Sequence, residues 1–176
     1  MRKPYHLVLL LLLSPLAAIA QQTPKVEVFG GYSNLEANVN AANFNLNGLD
    51  FSVTENVNSW FGGALDFSTH FGTEAGFKVN TETLTYGPVF SYRKHPSVVP
   101  FAHALLGAVR GSSNYLDISK PAVHFAVAVG GGIDVKLTDR VALRLIQADY
   151  LMTRFSSTRQ DNIRLSAGIV LRFGRK

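Results

Sequence analysis

The chain has 176 residues, 47% of them apolar and only 16% charged, with a formal net charge of +5. That composition excludes intrinsic disorder, which needs low hydrophobicity and high charge, and the size fits one domain. The absence of cysteine excludes a disulfide framework, a thiolate metal site and a cysteine nucleophile, and the scattered basic residues do not form a nucleic-acid-binding stripe.

The N-terminus reads as an address. Arg2 and Lys3 precede an unbroken apolar run at 7–13, and Ala18-Ile19-Ala20 is an A-x-A cleavage site. A membrane-anchoring helix needs about 20 apolar residues, and Pro15 interrupts this run. Residues 1–20 are therefore expected to be a signal peptide and 21–176 the exported domain. No second apolar run of spanning length follows, so any membrane insertion would not be helical.

From there on, period-two alternation dominates, which is the strand signal. It predicts strands at 25–33, 49–56, 60–71, 81–92, 99–110, 122–136, 140–153 and 162–173. The first sets Val26, Val28 and Tyr32 against Lys25, Glu27 and Ser33. The fourth opposes Leu84, Tyr86, Pro88, Phe90 and Tyr92 to Thr83, Thr85, Gly87, Val89 and Ser91. The fifth is ambiguous, with Phe101, His103, Leu105 and Gly107 on one face. In the sixth, Val123, Phe125, Val127, Val129 and Ile133 oppose His124, Ala126, Ala128, Gly130 and Asp134. The seventh breaks phase: Arg144 lies in one register and Gln147 and Asp149 in the other. Either a β-bulge near Leu145 and Ile146 switches the phase, or Gln147 and Asp149 face outward near a rim. The eighth is the clearest, with Ile163, Leu165, Ala167, Ile169, Leu171 and Phe173 opposing Arg164, Ser166, Gly168, Val170 and Arg172.

Two arrangements fit such strands. A soluble barrel or sandwich turns its apolar face inward. A membrane barrel inverts the polarity, with apolar residues toward lipid and small or charged residues inside. The Gly, Ala and Ser content of the polar face, and the length of the strands, favour inversion. Aromatics near strand ends agree, with Tyr32 and Phe71 at one rim and Trp60, Tyr92 and Phe173 at the other. The connections are expected to alternate between long or intermediate (34–48, 72–80, 111–121, 154–161) and short (57–59, 93–98, 137–139), as in outer-membrane barrels with short periplasmic turns.

With its opening strand Lys-Val-Glu-Val-Phe-Gly-Gly-Tyr-Ser (25–33) and closing strand Ile-Arg-Leu-Ser-Ala-Gly-Ile-Val-Leu-Arg-Phe (163–173), the chain resembles small bacterial outer-membrane β-barrels of the OmpA-like and opacity type. The resemblance covers 25–174. It implies an all-β, eight-stranded, antiparallel up-and-down transmembrane barrel in the bacterial outer membrane, with lipid and the barrel-insertion machinery as partners and no cofactor. In that family the last strand usually ends in an aromatic residue; here Gly174, Arg175 and Lys176 follow Phe173. The family's peptidoglycan-binding domain is absent, so no cell-wall tether is expected.

A narrow barrel is filled by side chains, and charges inside it must be paired. The expected inward set is Glu27, Asp50, Asp66, His103, His124, Asp134, Arg144, Arg164 and Arg172. Closure between the first and last strands sets Glu27 level with Arg172, and the short turn at 137–139 sets Asp134 opposite Arg144; both are expected as interior ion pairs. Ile163, Leu165, Ile169, Leu171 and Phe173 are the expected lipid-facing residues.

Some barrels of this size modify lipid A, which makes catalysis a competing reading. His124 is followed by Phe125 and Ala126, so the His-x-Ser element of the deacylases is missing. Ser68 and His70 share a face, but about 7 Å apart along a strand, which suits a polar lining better than a proton transfer. His103 and His124, with Asp66 and Asp134, could be metal ligands only at equal height. Gly130-Gly131-Gly132 lacks the rest of a phosphate loop. The asparagine-rich segment 34–48 is expected to be a solvated external loop, with adhesion as the functional alternative. The reading favoured is a non-enzymatic barrel with a structural or loop-presenting role. The alternatives are a soluble periplasmic barrel binding an apolar ligand and an outer-membrane lipid hydrolase.

Overall fold

Residues that alternate between apolar and small or polar can satisfy both faces of one sheet only if the two faces meet different surroundings. In a computed structural model of the chain, which describes residues 23–39, 42–74, 77–113, 122–155 and 158–175, that sheet closes on itself. Its strands are β1 (Val26–Val39), β2 (Ala42–Asn56), β3 (Phe61–Glu74), β4 (Phe77–Ser91), β5 (Val98–Ser113), β6 (Ala122–Lys136), β7 (Val141–Phe155) and β8 (Thr158–Phe173). They form one closed antiparallel barrel in sequence order. β8 returns to β1 with Val26 opposite Phe173 and Glu27 opposite Arg172. Residues 1–20, and with them the expected signal peptide, lie outside the described residues.

The exterior is apolar. Ile163, Leu165, Ile169, Leu171 and Phe173 on β8 all point outward, as do Leu49, Phe51 and Val53 on β2 and Leu84, Tyr86 and Phe90 on β4. From Ile163 to Phe173 the band spans ten residue steps (173 − 163). At about 3.3 Å per residue and a tilt near 40°, that is on the order of 25 Å along the barrel axis, the height of a membrane-spanning apolar band. Trp60, Tyr92 and Phe173 crowd its lower rim, level with the start of β1 and the end of β8, and Tyr32 and Phe71 its upper rim. Tyr32 donates from its hydroxyl to Asn47, and Tyr150 to Asp161 at 2.6 Å. Each thus ties an aromatic ring on the band to a polar side chain above it.

The strands do not stop at that rim, which corrects the expected connections. Residues 34–39 and 42–48, read from sequence as a loop, are the upper halves of β1 and β2, paired from Asn34↔Asn47 to Val39↔Ala42. β3 likewise runs to Glu74, β4 begins at Phe77, and β7 and β8 meet near Phe155 and Thr158. The expected long–short alternation of connections is thereby lost, and segment 114–121 lies outside the described residues. The physical reason is a second change of polarity. Above the band Leu35 and Leu46 turn inward and are buried, while Asn34, Asn45 and Asn47 lie outside. Period two persists, but polar residues face out, as they do in a soluble sheet.

Among the described residues, β7 carries a register shift in its pairing with both neighbours. Ile133 pairs with Ile146 while Asp134 pairs with Arg144, so Leu145 is the extra residue of a β-bulge. Leu145 and Ile146 both face outward, and the phase shift turns Arg144, Gln147 and Asp149 all inward. At the base, Lys136 bridges to Asp139 in the β6–β7 turn at 2.7 Å. That hydrogen bond and charge hold the Asp139 carboxyl below its usual range.

The two zones differ in what a charge costs outside. Ile169→Arg, in mid-band, should lower the unfolding free energy in phospholipid vesicles by about 2–4 kcal/mol, whereas Asn45→Arg, above the band, should cost less than about 1 kcal/mol. Urea titration followed by tryptophan fluorescence measures both.

Candidate functional site

The lumen is where the sequence concentrates its chemistry. Three layers can be distinguished, stacked along the axis.

At the lower mouth Glu27 of β1 is held from two sides. Arg172 of β8 donates from Nε at 3.0 Å, and Arg93 donates at 2.6 and 3.3 Å. Asn56 of β2 completes the cluster, donating to Glu27 at 3.0 Å and to the Pro24 carbonyl at 2.9 Å. Arg93 was not among the expected lumen residues, because it sits beyond β4 in a turn. A signal for it existed: it continues the inward odd-numbered phase of Thr83, Thr85, Gly87, Val89 and Ser91.

Above this, Arg144 donates to Asp134 at 2.8 and 3.2 Å. Its guanidinium carbon lies 4.2 Å from the ring centroids of both Phe29 and Phe101, a cation held between two π faces. Arg144 also donates to Gln147 at 2.6 Å, and Gln147 donates onward to Asp149 at 2.8 Å.

Arg164 is the centre of the third layer and is fully buried. Nε and one terminal nitrogen donate to Asp149 at 2.9 and 2.7 Å. The other terminal nitrogen donates to Asp66 at 2.8 Å and to Ser68 at 3.0 Å, and lies 3.7 Å from Asp50. One guanidinium thus ties β8 to β2, β3 and β7 through three carboxylates. Asp149 also meets Nε2 of His103 at 2.7 Å, so that histidine is a hydrogen-bonded lumen residue. Gly130 explains why this contact fits: a Cβ there would collide with the Asp149 carboxylate and the Ala148 carbonyl. This accounts for part of the triple-glycine run without any phosphate.

Ser166, Ser33 and His70 continue the chain of contacts. Ser166 donates to Asp50 at 2.8 Å, and its oxygen lies 2.9 Å from that of Ser33, which lies 2.9 Å from His70 Nε2. A serine and a histidine in contact suggest a nucleophile and its base. The surroundings of the pair argue otherwise. His70 Nδ1 has no hydrogen-bond partner, so no acid orients the ring, and Ser33 and His70 are wholly buried. Ser68, the serine weighed from sequence, is bound to Arg164 instead.

A metal would need convergent ligands, and among the described residues no three histidine or carboxylate groups form such a set. His103 and His124 differ in height: His103 pairs with Gly130, six residues along β6 from His124, or about 20 Å. A cavity among Glu27, Asp66, Arg93 and Arg144 holds about 20 Å³, room for roughly one water. The far wall of the lumen, from Val89 through Leu105, Ala126 and Ala128 to Leu151, is apolar and buried.

Unpairing the hub should be costly, because a buried charge that loses its partner is not compensated. Arg164→Met leaves Asp50, Asp66 and Asp149 together and should lower stability by about 3–5 kcal/mol or prevent refolding. Arg93→Met, which leaves Glu27 its bond to Arg172, should cost clearly less. Heat-modifiable migration on a denaturing gel after refolding into vesicles compares the two.

Comparison with known proteins places this architecture among others. The family described as the outer membrane protein beta-barrel domain matches residues 6–173. Solved structures with similar folds include neisserial surface protein A, NspA, with a TM-score of 0.73 at 17% identity over 85% of this chain and 97% of that one. Ail, the attachment invasion locus protein of Yersinia pestis, superposes with a TM-score of 0.60 at 17% identity, covering 85% and 99%. The outer membrane protein OprG of Pseudomonas aeruginosa gives 0.58 at 10% identity, covering 87% and 97%. No curated protein sequence matches the chain.

Proposed function

The chain belongs to the outer membrane protein beta-barrel domain family, which implies the bacterial outer membrane, and we propose that it serves there as a closed, non-catalytic wall protein exported by its N-terminal signal. Its work would be structural: a rigid barrel in lipid that presents the upper ends of its strands to the outside. Outer-membrane lipid and the insertion machinery that delivers such barrels would be its partners.

The observation that carries this reading is the filled lumen. Arg144 between Phe29 and Phe101, and Arg164 among three carboxylates, stand across the path that a solute would follow. A cavity of about 20 Å³ is no passage. The soluble-barrel alternative needs an apolar hollow and a wettable exterior; here the lumen is charged and the outside is greasy. The hydrolase alternative needs a serine, a histidine and an acid open to lipid, and the serine–histidine contact at Ser33 and His70 faces inward, with no acid on His70 Nδ1. Surface presentation fits the β1–β2 ribbon above the band, which turns the exposed Asn45 and Asn47 outward. The names of NspA, a surface protein, and Ail, an attachment invasion locus protein, are in keeping with that role.

The absence of cysteine makes the topology directly testable. Asn45→Cys should react with a membrane-impermeant maleimide in intact cells, and Ser97→Cys, in the β4–β5 turn, only after the outer membrane is permeabilised. The opposite pattern would overturn the proposed orientation. In planar bilayers the purified barrel should show no steady single-channel conductance; a stable open level would contradict the closed-wall reading.

A further inference from the structure

Among the described residues, a concavity lies outside the lumen. It is a groove of about 360 Å³ on the outer wall at the lower rim, lined by Trp60, Phe90, Ser91, Tyr92, Pro100 and Ala102. The volume falls at the low end of that of small-molecule sites. Its origin lies in the outward-facing residues of adjacent strands. Phe90 of β4 pairs with Ala102 of β5, and Ala102 with Gly131 of β6, so a large ring stands beside two positions with almost no side chain.

The walls are fixed in advance. Trp60 stacks on Phe90 with centroids 6.0 Å apart and planes 18° from parallel. Its backbone nitrogen donates to Asn58 at 2.9 Å, and its carbonyl accepts from Ser91 at 2.9 Å. Tyr92 donates from its backbone to Pro100 at 2.9 Å. Just beyond the groove, on the side away from the band, the Lys94 ammonium lies 5.9 Å from the Tyr92 ring centroid and the residue is exposed. The neighbouring Arg93 turns into the lumen toward Glu27, whereas Lys94 stays exposed on the side of the headgroup layer.

We propose that this groove is a binding site for a glycerophospholipid with an anionic headgroup from the periplasmic leaflet. One acyl chain lies over Ala102 between Trp60 and Tyr92, and the phosphate region meets Lys94. The inference rests on the outer-membrane orientation proposed above. An apolar hollow in that band is filled by whatever surrounds it, and its open shape between rigid rings favours a flexible chain. The exposed rings of Trp60 and Tyr92 hold off the flat wall of a second barrel, and the cation at the end of the groove selects an anion over a zwitterion.

Trp60 is the only tryptophan of the sequence, so its fluorescence reports the site directly. The protein is folded into phosphatidylcholine vesicles carrying a small mole fraction of chain-brominated lipid, either phosphatidylglycerol or phosphatidylcholine. The proposal expects brominated phosphatidylglycerol to quench Trp60 at least about twofold more than brominated phosphatidylcholine at equal mole fraction, because selection by a unit charge in the headgroup layer is of that order or larger. Lys94→Gln should abolish that preference. Ala102→Phe, which fills the groove, should abolish it as well; Ala102→Leu serves if the larger side chain prevents folding, with heat-modifiable migration as the folding check. Equal quenching by the two lipids in the unsubstituted protein, or a preference that survives filling of the groove, would overturn the site while leaving the outer-membrane reading intact. Absence of quenching by either lipid would instead overturn that reading, and the site with it.

Discussion

In hydrocarbon, a backbone amide or carbonyl without a partner costs several kcal/mol. That constraint governs the rest of this molecule. A sheet meets it only by having no edge, so β8 must return to β1, and with eight strands the enclosed space is barely wider than the side chains that fill it. Once the outside of the band is given over to apolar residues, the charges on the strands within it have to find their partners in that narrow space. Arg164 shows how this is done: a single guanidinium, with its fixed fork of donors, meets carboxylates from β2, β3 and β7. The network holds the barrel in one cross-section and stands across its lumen, so architecture and proposed function share a cause.

The same alternation is used with both signs along one strand. On β1, Glu27 and Ser33 face in while Val28 faces out; further up, Leu35 faces in and Asn34 out. The wall therefore changes from a membrane surface to a water-facing surface with no break in hydrogen bonding between β1 and β2. Tyr32 and Tyr150 mark the seam, each with its ring on the apolar band and its hydroxyl bound to a polar neighbour above. An aromatic with one apolar and one wet end suits such a boundary.

How much of this could be read in the chain itself depended on which neighbour a residue answers to. Strand identity within the band was legible because lipid imposes one polarity on every strand; the faces of β8 are plain from Ile163 to Phe173. The contact of Glu27 with Arg172, and that of Asp134 with Arg144, follow from counting along strands that adjoin at the seam or across a tight turn. Even the bulge at Leu145 announces itself, since Arg144 and Asp149 cannot both face inward without an extra residue. The upper halves of β1 and β2 were hidden because asparagine favours turns locally, and the pairing of two ribbons overrides that preference. The Arg164 hub was hidden for a different reason. Asp50 and Asp66 reach it across the lumen from strands that do not pair with β8, and no count along neighbouring strands aligns them. Arg93 was missed because a turn residue that re-enters the barrel mouth obeys the inward phase of β4 without being part of the strand.

The account stands on one assignment, that of the faces. A nitroxide scan of residues 163–173 in phospholipid vesicles tests it most directly, by comparing the collision rates of each label with oxygen and with a water-soluble nickel complex. The account predicts high oxygen accessibility at odd positions and low accessibility to both reagents at even ones, with Val170 the most protected. A flat profile, or one with odd and even exchanged, would contradict it.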